Sequence, residues 1–193
     1  MKVKLMALPA LLFIMCAYCG AGRGSSVKPS LKIKTKAPEI AGYKKWTLVN
    51  AKPQHIPTLV AVACAAPQQG RGSHPSTQGK YIRVFVNEKG KAAMFAPTPH
   101  FPPGSVVVKE KLPSASSLAP ELLTVMIKRQ SGFDTSKGDW EYLVTDGSGK
   151  KAYQRGKLAN CQSCHLARPN SDYVFRSYLP ENDVKAQTSK SHQ

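Results

Sequence analysis

Acidic residues are scarce in this chain: 11 Asp and Glu stand against 28 Lys and Arg, a formal net charge of +17 over 193 residues. A balance of this kind suits an acidic protein partner or an anionic surface, reached by long-range steering. It does not point to nucleic acid, because the lysines are scattered and no stripe of Lys and Arg interleaves with aromatic residues. Long apolar runs are missing too. The longest, residues 5–18, falls short of the about 20 residues that a membrane span needs, and Lys2 and Lys4 precede it. The chain is therefore expected to have no membrane span, and residues 1–21 read as a secretory signal ending at small residues such as Gly20 and Ala21. Removing them takes Lys2 and Lys4 away and leaves a net charge of about +15. Export places the mature chain in the periplasm or outside the cell, where disulfides are permitted. Cysteine is sparse as well: once Cys16 and Cys19 leave with the signal, Cys64, Cys161 and Cys164 remain.

Two of those three stand in Cys161-Gln162-Ser163-Cys164-His165. This is the spacing that covalent attachment of a c-type heme requires. Each thiol adds to one vinyl group of the porphyrin, and the adjacent imidazole becomes the proximal ligand of the iron. One motif implies one heme, held by Cys161, Cys164 and His165, with His165 the metal ligand. A zinc site would need a second close-spaced pair, which neither Cys64 nor His55, His74, His100 and His192 supplies. A thioredoxin-like redox pair would open a helix early in a βαβ unit, whereas this pair comes late, after strand-like segments. With the motif cysteines committed to heme, Cys64 has no partner within its own chain. Its setting among Val60, Ala61, Val62, Ala63, Ala65 and Ala66 reads as a small buried filler, the alternative being a disulfide across a dimer.

The sequence divides into the signal (1–21), a basic leader (22–40), a heme domain (41–180) and a polar tail (181–193). Alternating and β-branched runs predict strands at 45–50, 81–87, 105–111, 122–128 and 139–145. Turn residues separate them: a Gly, Ser, Pro and His loop at 68–79, a turn at 87–90, a proline-rich bend at 97–104 and another turn at 146–149. A helix is expected over 152–166, carrying the heme motif. The expected fold is α+β and β-rich: an antiparallel sheet of about five strands with a few helices, the heme motif near the C-terminus. Small cytochromes c of the all-helical kind carry the motif near the mature N-terminus, so this order is informative.

Four segments together resemble the cytochrome P-460 family in order and spacing. They are Gly104-Ser105-Val106-Val107-Val108-Lys109-Glu110, Gly138-Asp139-Trp140, the heme motif, and Asp172-Tyr173-Val174-Phe175-Arg176-Ser177-Tyr178-Leu179-Pro180. Tyr43-Lys44-Lys45-Trp46 is similar to the family's first segment, so the likeness runs from Tyr43 to Pro180. It implies a β-rich homodimer with one covalent heme c, His165 proximal and an open distal iron. In the family's catalytic members a lysine is bonded to a meso carbon of the porphyrin, and Lys109 occupies that position. Valines beside it would desolvate the amine and favour its neutral, reactive form. The alternative is an ordinary strand lysine whose amine reaches to water; family relatives, the beta-type cytochromes c-prime, share the fold without the crosslink and bind gases such as nitric oxide.

Three functions compete, the first two implied by the resemblance and the third by a c-type heme alone. The first is an exported cytochrome that binds and oxidises small nitrogen compounds, hydroxylamine or nitric oxide, passing electrons to a soluble redox partner. The second is a binding protein for nitric oxide or carbon monoxide without turnover. The third is an electron carrier, which needs a sixth ligand such as Met94 or Met126. Oxidation calls for a distal base. The strand at 122–128 has no carboxylate, leaving Glu110, Asp134 and Asp139 as candidates. Phe85, Phe95, Phe101 and Phe133 are candidates to cap the distal face, with core packing the alternative for each, while Trp46 and Trp140 are expected to pack on the sheet.

Overall fold

Among the described residues seven strands pair antiparallel in a single sheet: β1 (Thr47–Leu48), β2 (Gln54–Ile56), β3 (Lys80–Val86), β4 (Val106–Leu112), β5 (Leu122–Lys128), β6 (Trp140–Asp146) and β7 (Ala152–Gly156). The computed structural model describes residues 37–63 and 79–179. The expected signal, most of the leader, Cys64, His74 and the tail lie outside the described residues. β3 to β7 form a meander, and β1 and β2 share the outer edge of β3, through Thr47 opposite Val86 and Gln54 opposite Ile82. Three α-helices accompany the strands among the described residues: α1 (Thr58–Ala63), α2 (Glu88–Phe95) and α3 (Ala159–His165).

Alternation decides what each face of the sheet carries. Across the strands Val84, Lys109, Thr124 and Val144 stand in one row, and Val86, Val107, Met126 and Tyr142 in the next. This face packs against Met94 of α2, Phe101 and Val174. The opposite face shows Phe85, Val108, Val125, Ile127 and Leu143, covered by two short 3-10 turns, Pro38–Ile40 and Tyr43–Lys45. Tyr43 meets Phe85 edge-on at 5.4 Å, and its hydroxyl donates to Glu110 Oε1 at 2.7 Å.

Charge holds this N-terminal cover in place. Glu110 is fully buried, with Arg83 Nε 3.3 Å from one oxygen and Lys44 Nζ 3.2 Å from the other. Further along, Arg129 and Arg155 each bridge Glu39 in the cover to Glu141 in β6.

All five expected strands are present, the first shortened to Thr47–Leu48 by the 3-10 turn before it. β2 and β7 were not expected. Both are polar, as in Gln54-His55 and Tyr153-Gln154-Arg155, and β7 is joined through a bulge beside Val144, so neither shows clean alternation. The helix expected over 152–166 is half strand: it divides at Gly156, whose φ of +128° is costly for any other residue, into β7 and α3. The expected turn at 87–90 is the start of α2. Asn87 caps it, its Oδ1 accepting from Gly90 N at 3.0 Å and also from Val106 N at 3.0 Å.

Burial alone would raise the Glu39 carboxyl, but the hydrogen bond from Arg155 and the charges of Arg155 and Arg129 hold it below its ordinary value of 4.5. A carboxyl depressed on folding adds stability above its unfolded pKa, and that stability is lost as pH falls through the folded value. Glu39→Gln is expected to lower stability at neutral pH by about 1 kcal/mol. The difference from the parent chain should shrink as pH falls below 4.5, measured by urea denaturation.

Candidate heme site

α3 carries Cys161, Cys164 and His165 at helical positions i, i+3 and i+4, which places both thiols and the imidazole on one face. Gln162 between them turns the other way and is buried. Its Nε2 donates to Asp134 Oδ2 at 2.7 Å, and its Oε1 accepts from Lys137 Nζ at 2.8 Å. Gln162 thus latches the helix to the loop ahead of β6.

The thiol and imidazole face lines a cavity of about 490 Å³. Ile82, Val84, Val107, Lys109, Thr124 and Met126 supply its floor from β3, β4 and β5. Tyr142 of β6 lines it at the His165 end, the two rings 5.4 Å apart. Gln54, His55 and Ile56 of β2 with Leu59 and Val60 of α1 line it too, as do Val174, Phe175 and Tyr178 after the motif.

The tract C-terminal to the motif fixes His165. Its Nδ1 lies 2.7 Å from the carbonyl oxygen of Tyr173. A carbonyl only accepts, so Nδ1 carries the proton and Nε2 keeps its lone pair. Burial pushes the imidazole down to about 4 against the pull of this hydrogen bond, and the charge of Lys109 lowers it further. The ring is therefore neutral at physiological pH, the form that binds a metal. Phe175 packs edge-on to it at 5.0 Å. Burial likewise raises the phenols of Tyr142 and Tyr178, which stay protonated and able to donate.

These residues fit a c-type heme. Two thiols and a neutral imidazole share one helix face, and the cavity they line falls within the roughly 300–1,000 Å³ usual for cofactor pockets. Its apolar floor suits a porphyrin face, and Lys109 stands in that floor.

Other candidates fall elsewhere. Among the described residues lining the cavity there is no carboxylate. Glu110 is not available as a distal base, because alternation along β4 turns it to the opposite face from Lys109, against Tyr43. Asp134 accepts from Gln162, and Asp139 Oδ1 accepts from Asp134 N at 2.6 Å, so both build the latch beneath α3. Met126 lines the cavity, whereas Met94 is enclosed in the core and is no sixth ligand. None of Phe85, Phe95, Phe101 and Phe133 lines it: Phe85 is on the far face and Phe101 packs against the buried Trp140 at 5.4 Å. Trp46 and Trp140 both pack on the sheet as expected. His100 is exposed and apart from the cavity, and His192 lies outside the described residues.

Sequence reasoning missed Gln54, His55, Tyr142 and Tyr178 as lining residues. Tyr142 and Tyr178 carried a usable signal, one on the cavity-facing parity of β6 and the other in the tract after the motif. Gln54 and His55 carried none, since β2 itself was not foreseen.

Gly138 gives this region a sharp test. Its φ is +70°, and a Cβ there would lie 2.3 Å from Cδ2 of Tyr173, the residue whose carbonyl holds His165. Gly138→Ala is expected to destabilise the chain by more than about 1 kcal/mol, read as a lowered urea midpoint.

No helix among the described residues is long and apolar enough to cross a membrane. No curated protein matches the chain. A family model described as Cytochrome P460 matches residues 40–176. That span begins in the N-terminal cover, crosses the whole sheet and the heme motif, and ends in the tract that holds His165. The family implies a heme cofactor, in agreement with the donor set. With most of its length matched, including both the cavity floor and α3, the chain belongs to the Cytochrome P460 family.

Proposed function

We propose that the chain is an exported cytochrome with one heme, bonded through Cys161 and Cys164 and ligated by His165, that binds small nitrogen compounds such as nitric oxide and hydroxylamine. The observation that carries this reading is the cavity itself, where the two thiols, the neutral imidazole and Lys109 meet an apolar floor without a carboxylate. Cys161, Cys164 and His165 would hold the heme there, and its iron would supply the binding of a small ligand. The remaining work falls to the protein. Ile82, Val84 and Val107 exclude water from the floor, while Cys161 and Cys164 stand on α3 where they would hold the ring. Residues 1–21 support export, and the positive charge of the chain supports an acidic redox partner.

The lining favours binding over turnover. Oxidising hydroxylamine releases protons, and no carboxylate among the described residues lines the cavity to receive them. A second reading, oxidation of hydroxylamine, draws on Lys109 in the floor as the point of a covalent bond to the ring, with His55 as a further imidazole in the lining.

Two measurements on the holoprotein test these readings. Nitric oxide should shift the Soret band of the ferrous protein, and an unchanged spectrum at saturating gas would contradict the binding reading. If Lys109 is bonded to the ring, the reduced Soret band lies far to the red and Lys109→Ala returns it to the ordinary c-type position. Identical spectra for parent and variant would retire the crosslink.

A further inference from the structure

The turn that presents the Tyr173 carbonyl to His165 is not one the chain adopts freely. Asp172 and Tyr173 are consecutive residues with φ of +49° and +64°, in the left-handed region that side chains with a Cβ disfavour. Several hydrogen bonds converge on them. The Asp172 carboxylate accepts from Lys128 Nζ at 2.6 Å through each oxygen, and from Phe101 N at 2.8 Å. Its carbonyl accepts from Trp140 Nε1 at 2.8 Å, and Tyr173 N donates to Arg168 O at 2.8 Å. Both side chains of the ion pair are only 9% exposed, and Lys128 Nζ lies 5.0 Å from the Trp140 ring centroid. A buried ammonium on a rigid central strand therefore faces a buried carboxylate on the loop, one residue before the atom that orients the proximal histidine.

We propose that Asp172 is a positioning residue for His165, its pairing with Lys128 holding the left-handed turn so that the Tyr173 carbonyl stays on Nδ1. The inference rests on the heme reading and adds to it a control of the iron. A proximal imidazole that donates its Nδ1–H to a well-placed acceptor is a stronger donor through Nε2, which favours the ferric state. Loosening the turn weakens that donation and favours the ferrous state. Lys128 and Trp140 thus connect the sheet to the electronics of the heme without touching it.

The experiment compares the reduction potential of the holoprotein and its ferrous iron–histidine stretching frequency by resonance Raman. Asp172→Asn should move the potential to a more positive value and lower the frequency. Lys128→Arg, which keeps the charge, should leave both at the parent values. Since Asp172→Asn strands a buried lysine and risks misfolding, the double variant Lys128→Met with Asp172→Asn removes both charges and should show the same two shifts. Unchanged potential and frequency in heme-loaded variants, even with lowered stability, would overturn the proposal and leave Asp172 as scaffold. Failure of the parent chain to hold a covalent heme would instead bring down the reading beneath it.

Discussion

A sheet buried on both faces must send neighbouring side chains into two separate interiors, and β4 does so with charged groups. Lys109 faces the cavity, while Glu110, one residue on, faces the N-terminal cover and is fully buried. A buried carboxylate is tolerated only with partners, and Tyr43, Lys44 and Arg83 provide them. The same contacts tie the cover to the sheet, so one face is sealed by the chain's own N-terminal segment and the other is left for the heme.

On the open face α3 packs on the core through Cys161 and is held further by polar tethers. α3 spans seven residues, and no side chain caps its N-terminus. Its place is set by tethers at both ends of the motif: Gln162 to Asp134 and Lys137 on one side, His165 to the Tyr173 carbonyl on the other. Both tethers return to the region around β6, whose first residue, Trp140, is fully buried and donates to the same turn. Positive φ at Gly138, Asp139, Asp172 and Tyr173 lets the two loops meet closely beneath the helix. The site is thus tethered at His165 and lined mainly by apolar side chains along its floor.

Much of this was legible in the chain. The central strands showed because each alternates or runs apolar, while the spacing from Cys161 to His165 pointed to heme because that chemistry demands it. Lys109 could be placed on the cavity side only by resemblance, since a lysine in a valine-rich strand reads equally well as a surface residue. The distal candidates misled because sequence proximity hides parity: Glu110 neighbours Lys109 in the chain but lies across the sheet from it. β2 and α1 escaped notice because a three-residue strand and a six-residue helix are too short for a periodicity to show. The Asp172 turn was equally hidden, since its left-handed residues are not glycine and its partner Lys128 is 44 residues away.

The central claim is that Cys161 and Cys164 bond a heme to this helix face, and acidified acetone tests it directly, because it extracts heme that is merely coordinated. The account predicts that after extraction the heme absorbance stays with the precipitated protein, and that Cys161→Ala with Cys164→Ala sends it into the solvent. Colour passing wholly into the acetone from the unaltered chain would contradict it.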